Sequence, residues 1–357
     1  MINLKKVFIL TLFLVLLISI SGCTGKKDVK KAVEEVRTGT EGIVLSFLPN
    51  SPPEKVHVES PPVENTFDVI LDIRNKGAYP QPEQITGSGG PAGKVYLSGF
   101  DTNIIELKLK EPKSGATESG GDLSKLALDG KSTINPYGGQ DILGFQGTIK
   151  YENLNVEKYE PIFLATACYH YETVAGPSVC IDPDPYTTLN VKKVCEVQGI
   201  ALSSQGAPIA IVKIDEEAFA TKTQFKITIR NVGSGDVLKD EALPKCNPHG
   251  TTIKSDTSPS QKIEREDIDK AKVDFVKMSN DKLLNCGPFV DRIDGTVKST
   301  SGGLIRLTNG EGFIICDLEK NDYGKTTSAY TTPLVIQLSY GYRNTVQRKL
   351  EVKKEKK

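Results

Sequence analysis

The chain has 357 residues in which 45 Lys and Arg balance 45 Asp and Glu. That balance offers no broad basic surface and argues against nucleic-acid binding. Seven cysteines, three histidines and no tryptophan leave little material for histidine-based catalysis, and the length exceeds one typical core and suits two domains.

Lys5 and Lys6 precede the apolar run Val7 to Ile20, and Ser21, Gly22 and Cys23 follow. A positive start, an apolar centre and small residues before a break are the parts of an export signal. The run is short for a span of ~20 apolar residues, and Lys26 and Lys27 come directly after it. Ile20-Ser21-Gly22-Cys23 resembles the lipobox of prokaryotic lipoproteins, a resemblance confined to the first 23 residues. It implies a signal peptide over 1–22, a diacylglyceryl group on Cys23, a tether over 23–41 and a protein held to the cell membrane on its extracytoplasmic side. Within the tether Val29, Val33 and Val36 recur at helical spacing, predicting a short amphipathic helix ending at Gly39. Lys26, Lys27, Lys30 and Lys31 suit contact with anionic lipid.

Beyond the tether the chain repeats itself. Gly42-Ile-Val-Leu-Ser46 returns as Gly199-Ile-Ala-Leu-Ser203, and Ile73-Arg-Asn-Lys-Gly77 as Ile229-Arg-Asn-Val-Gly233. Lys94-Val95 returns as Lys272-Val273, and Pro161 through Tyr169-His170-Tyr171 as Pro333 through Tyr340-Gly341-Tyr342. Four matches in one order predict two homologous domains, 42–190 and 195–352, with a Pro- and Asp-containing link at Asp182 to Tyr186 and a basic tail over 353–357.

The repeated segments alternate with the period of a half-buried strand: Val69, Leu71 and Ile73 in one copy, Phe225, Ile227 and Ile229 in the other, and Ile105, Leu107 and Leu109 besides. Asn309-Gly310, between Leu304–Leu307 and Phe313–Ile315, predicts a hairpin, since both residues tolerate positive φ. Ser114 to Asp122, rich in Gly, Ser and Thr, reads as a flexible loop, and so does Gly87 to Lys94, where Ser88 and Val95 break a phosphate-loop pattern. Thirty-two glycines and twenty prolines suit many short strands. The fold class is all-β, two tandem antiparallel β-sandwich domains. An alternating strand running into Arg-Asn-x-Gly resembles the immunoglobulin-like modules of prokaryotic surface proteins called CARDB, over about the first third of each domain. The layout also resembles archaeal envelope lipoproteins. These resemblances imply location and an immunoglobulin-like fold, with no known activity.

Cys168, Cys180, Cys195, Cys246, Cys286 and Cys316 form an even set without CxxC spacing, which predicts three disulfides rather than a metal site. Cys168 with Cys180 is expected across a hairpin between Tyr171 and Val179. Cys286 and Cys316 flank the Asn309-Gly310 region, and Cys195 with Cys246 follows by elimination, although sequence allows three pairings among those four. Tyr169, Tyr171, Tyr340 and Tyr342 read as cross-strand core pairs. Asp182 and Asp184 at the link are the one local arrangement open to calcium, set against a rigid Pro linker.

No catalytic residue, metal or cofactor is expected, and no enzyme. The leading expectation is a lipid-anchored interaction or structural protein presenting its sandwiches to a protein partner in the cell envelope. The alternative is a membrane-anchored receptor for a small ligand or glycan, which lacks the βαβ alternation of hinged solute binders.

Overall fold

The computed structural model describes residues 36–81, 90–118, 120–187, 192–248, 262–290, 302–323 and 326–355. Cys23, His249 and the expected tether helix up to residue 35 lie outside them. The first half of the chain supplies β1 (Ile43–Phe47), β2 (Lys55–Val58), β3 (Asn65–Asn75), β4 (Gly93–Ser98), β5 (Ile105–Leu109), β6 (Ala116–Thr117), β7 (Gly120–Asp122), β8 (Gln140–Ile149), β9 (Lys158–Tyr159), β10 (Ile162–Ala175) and β11 (Ser178–Ile181). The second half supplies β12 (Ile200–Ala201), β13 (Ile209–Ala218), β14 (Lys222–Asn231), β15 (Asp236–Leu238), β16 (Lys270–Met278), β17 (Asn285–Gly287), β18 (Gly303–Arg306), β19 (Glu311–Glu319), β20 (Tyr330–Lys349) and β21 (Glu351–Lys354).

These strands follow from the alternation in the sequence. On β10 the side chains of Phe163, Ala165, Tyr169, Tyr171 and Thr173 are buried, while Leu164, Thr166, His170 and Glu172 between them are only partly covered. The fold is all-β and sandwich-like. One sheet, β1-β3-β8-β5, belongs to the first half, and another, β12-β13-β14-β19-β17, to the second. A long sheet of order β18-β16-β20-β10-β4-β7-β6 runs through both halves. Tyr169 and Tyr171 of β10 lie opposite Tyr342 and Tyr340 of β20, so all four rings leave the long sheet on one face, where both smaller sheets pack. A single hydrophobic cluster joins the two halves.

The seam of the molecule is the β10–β20 ladder. It runs antiparallel from Ile162 opposite Lys349 to Ala175 opposite Ile336. His170 lies opposite Gly341 at the centre of the Tyr pairs, and a two-fold axis through that point relates one half to the other. Val95 then sits opposite Ala167 as Val273 sits opposite Leu338, and Asn75 opposite Ile43 as Asn231 opposite Ile209. The Lys94-Val95 and Arg-Asn-x-Gly matches therefore occupy equivalent places. The Gly42 match does not, because the counterpart of β1 is the start of β13, whereas Ile200 lies on the extra edge strand β12. An antiparallel pairing about a two-fold is the isologous contact of a symmetric dimer, here within one chain.

The Gly176-Pro177 step does not form the expected hairpin. β11 continues in the same register along β20, with Ser178 opposite Pro333 and Ile181 opposite Tyr330. Cys168 and Cys180 are thus about 40 Å apart along one extended strand at ~3.3 Å per residue, far beyond the ~4.4–6.8 Å that a disulfide tolerates. The bridges are Cys168–Cys246, Cys180–Cys195 and Cys286–Cys316. The last agrees with expectation, its cysteines lying opposite each other on β17 and β19. The other two expected pairings are corrected. Three disulfides mark a chain that folds in an oxidising, extracytoplasmic environment.

Three further segments differ from expectation. The Asn309-Gly310 turn forms, with φ of 54° and 78°, but after the Thr308–Glu311 bridge its arms part, β18 joining the long sheet and β19 the second-half sheet. It is a corner between layers, not a hairpin. Ala116–Thr117 and Gly120–Asp122 are no loose loop but form the β6–β7 edge of the long sheet. Lys353 and Lys354, expected in a solvated tail, belong to β21, which pairs with β2 and β9 of the first half. Each half therefore passes its last strand to the other.

Candidate functional site at the junction of the halves

The four tyrosines form a closed ring of contacts with centroids 5.7 to 6.4 Å apart, as the cross-strand reading requires. Each hydroxyl has a polar partner. The Tyr169 hydroxyl accepts from Ile43 N–H at 3.0 Å and that of Tyr340 from Ile209 N–H at 3.2 Å. Tyr171 donates to Asn75 Oδ1 at 3.1 Å and Tyr342 to Asn231 Oδ1 at 3.2 Å. Burial raises all four phenols, that of Tyr342 to about 12, and keeps them neutral.

This ring explains the repeated Asn-x-Gly. Asn75 Oδ1 also accepts Gly77 N–H while its Nδ2 donates to the carbonyls of Tyr79 and Leu128. Asn231 does the same with Gly233 N–H and the Gly235 carbonyl. A Cβ at Gly77 would overlap the Tyr171 hydroxyl, and one at Gly233 the Tyr342 hydroxyl. The motif is a structural lock between strand end and seam.

On the opposite face of the seam the two-fold is broken. Gly341 leaves room for a 3-10 helix over Asp240–Cys246, since a Cβ there would lie 2.9 Å from Leu243. That helix is fastened to β10 by Cys168–Cys246, which ties one half to the other. The equivalent of Cys168 is Ser339, which donates to Asp274 at 2.9 Å instead. His170 occupies the position matching Gly341, with Nδ1 2.7 Å from Asp240 and Nε2 3.4 Å from Glu172. Burial alone would lower its pKa, but hydrogen bonds and charge from the two carboxylates outweigh it and raise it to about 9. At neutral pH the ring is a cation clamped between acids, with no free nitrogen lone pair for general-base work.

Beside this group lies a cavity of about 240 Å³, lined among others by Arg37, Tyr79, Gln81, Glu172, Gln205 and Gln337. Gln337 Nε2 donates to Glu172 at 3.2 Å, and the Tyr79 ring packs edge-on against both His170 and Tyr171. Burial raises the Tyr79 phenol, with the charges of Glu172 and Asp240 adding to it. The lining combines one cation, one carboxylate and several amides, a set suited to a small polar or zwitterionic molecule.

Among the residues singled out from sequence, the six cysteines lie at three separate places, and Cys23 lies outside the described residues. Asp182 is buried and paired with Lys193, whose Nζ also donates to the Asp184 carbonyl at 2.8 Å. That ammonium occupies the place a cation would take. Arg37, Glu172, Asp240 and Gln337 carried no sequence signal. The one available hint was His170 standing where the second copy has glycine. No helix among the described residues is long and apolar enough to cross a membrane.

No protein-family model and no curated protein matches the chain. Among solved structures, the collagen binding domain of surface protein RspB of Erysipelothrix rhusiopathiae aligns at 8% identity over 90% of this chain and 98% of that one, with a TM-score of 0.11. A likeness at that level carries no argument about fold or function.

Proposed function

We propose that the protein is an interaction or structural module of the cell envelope, anchored through lipid on Cys23 and presenting a rigid β-sandwich body to a protein partner. The observation that carries this reading is the seam. Two halves joined by one long ladder and by Cys168–Cys246 form a single stiff body, which holds loops and edges in fixed relative positions as a recognition surface requires. Cross-linking in intact cells with mass spectrometry tests it. One reproducible envelope protein is the expected capture, and capture of nothing but the protein itself would overturn the partner.

A second reading, a receptor for a small polar ligand, is favoured by the cavity between Arg37 and Glu172. A thermal-shift screen of zwitterions and sugars tests it. A hit that is lost in Arg37→Ala supports the reading, and a screen without hits removes it.

A further inference from the structure

Ile134 and Tyr137 are 92% and 86% exposed, more than any other large apolar side chain among the described residues. Both project from one short loop that is held rather than loose. Ser132 N–H donates to the Asn135 carbonyl at 2.9 Å, Asn135 N–H to Ser132 Oγ at 3.0 Å, and Asn135 Nδ2 to Asp129 at 3.1 Å. Lys131 N–H, at the foot of the loop, donates to the Gly77 carbonyl at 2.7 Å. The fold thus keeps an isoleucine and a tyrosine pointing into solvent with no neighbour to cover them.

The position of the loop says what covers them. Lys131 Nζ lies 3.4 Å from the Thr38 carbonyl and would lie 3.6 Å from a Cβ on Gly39. The loop therefore sits where the tether enters the folded body, 15 residues after Cys23 (38 − 23). A tether of 15 residues reaches at most about 50 Å when extended, so with lipid on Cys23 this is the end of the molecule nearest its attachment to the bilayer. An isoleucine, a tyrosine and a nearby lysine match the depth profile of a lipid interface, apolar below, aromatic at headgroup level and cationic beside phosphate. We propose that the Lys131–Tyr137 loop docks on the membrane surface as a second attachment beside the lipid and so orients the body upright or tilted in one way. This rests on the anchored reading above: the two chains of a diacylglyceryl group hold the protein to the bilayer, and the loop contact adds a fixed orientation to that attachment.

The natural chain contains no tryptophan, so one introduced residue reports alone. Tyr137→Trp is prepared in the full chain, extracted from membranes and reconstituted into phosphatidylcholine–phosphatidylglycerol vesicles with brominated acyl chains. The expected result is a blue-shifted emission quenched at least twofold by bromine. Ile162→Trp, about 30 Å along β10 from Tyr171 at ~3.3 Å per residue, is expected to stay red and unquenched. Adding Ile134→Asp should abolish the quenching of Trp at 137. A red, unquenched Trp at 137 in protein whose N-terminal peptide carries lipid would overturn the loop contact and leave the anchor standing. If the N-terminal peptide carries no lipid, the anchored reading fails, and quenching by vesicles added to the free protein then decides the loop alone: quenching upholds its membrane contact, and its absence overturns it.

Discussion

Two ionisable residues, His170 partly covered and Glu216 buried, set how the stability of this molecule should depend on pH. His170 is stabilised as a cation, its folded value of about 9 lying above the ordinary 6.5. Its contribution is therefore complete below about pH 6.5 and disappears as pH rises through about 9. His170→Gln should cost roughly 1–2 kcal/mol more at pH 6 than at pH 10 by urea titration, a figure kept small because Asp240 is half exposed. Glu216 is stabilised in its neutral form instead. Burial raises it to about 7, partly opposed by the Cys180 N–H at 3.2 Å, and its second oxygen has no hydrogen-bond partner. Stability from this group is full below about pH 4.5 and lost as pH rises through 7. Glu216→Gln should leave stability unchanged at pH 4 and raise it by roughly 1–2 kcal/mol at pH 8. At this scale the tyrosines were legible because they repeat at strand spacing. His170, Glu172 and Asp240 were not, since their meeting depends on a helix that arrives from 70 residues away.

The strand ends are held by the Asn-x-Gly locks, and the two locks differ in burial. Asn75 is fully buried with four hydrogen bonds, while Asn231 is partly exposed with three. Removing a partner from a buried polar group costs about 1–3 kcal/mol, so Asn75→Ala should destabilise by about 3 kcal/mol and Asn231→Ala by about half that. Chemical denaturation of both variants checks the order as well as the size. Peptide mapping without reduction should yield a Cys180–Cys195 peptide, and replacing both by serine should cost ~3 kcal/mol for a 15-residue loop. Most strands were legible from their period of two. The partner of β11 was not, because Gly176-Pro177 carries the chemistry of a turn and suggests a hairpin arm folding back on β10, and only the facing residues of β20 show that the ladder resumes beyond it. The Asn309-Gly310 turn was read correctly while its arms were not, since local φ preferences say nothing about which sheet a strand joins.

The halves share their central sheet, and this changes what separation would do. Cutting between them would bare the edges of β10 and β20, 14 facing positions long, and open strand edges pair with whatever strand is offered. Fragments 36–190 and 192–355 expressed apart should aggregate, whereas expressed together they should co-purify as one species in size-exclusion chromatography. Independent, monodisperse fragments would show that the seam is dispensable. The β2-β21-β9 sheet adds to the exchange, with Glu351 bridging Lys55 at 2.8 Å and Lys158 at 2.9 Å, pairs that hold its carboxyl down at about 2.

The sequence by itself determined the all-β class, the internal repeat in its Asn-x-Gly and Tyr-x-Tyr segments, and an even cysteine set suited to an oxidising compartment. These are properties of local pattern: side chains alternate with a period of two wherever one face is buried, and a repeat keeps its own register. Only the tertiary structure decided that the repeats fuse through β10 and β20, that Cys168 reaches Cys246, and that the junction gathers Arg37, His170, Glu172 and Asp240. Those features depend on which strand edges meet. Backbone N–H and C=O groups are the same at every residue, so the choice of partner is made by the packing of whole faces and leaves no mark in any short segment.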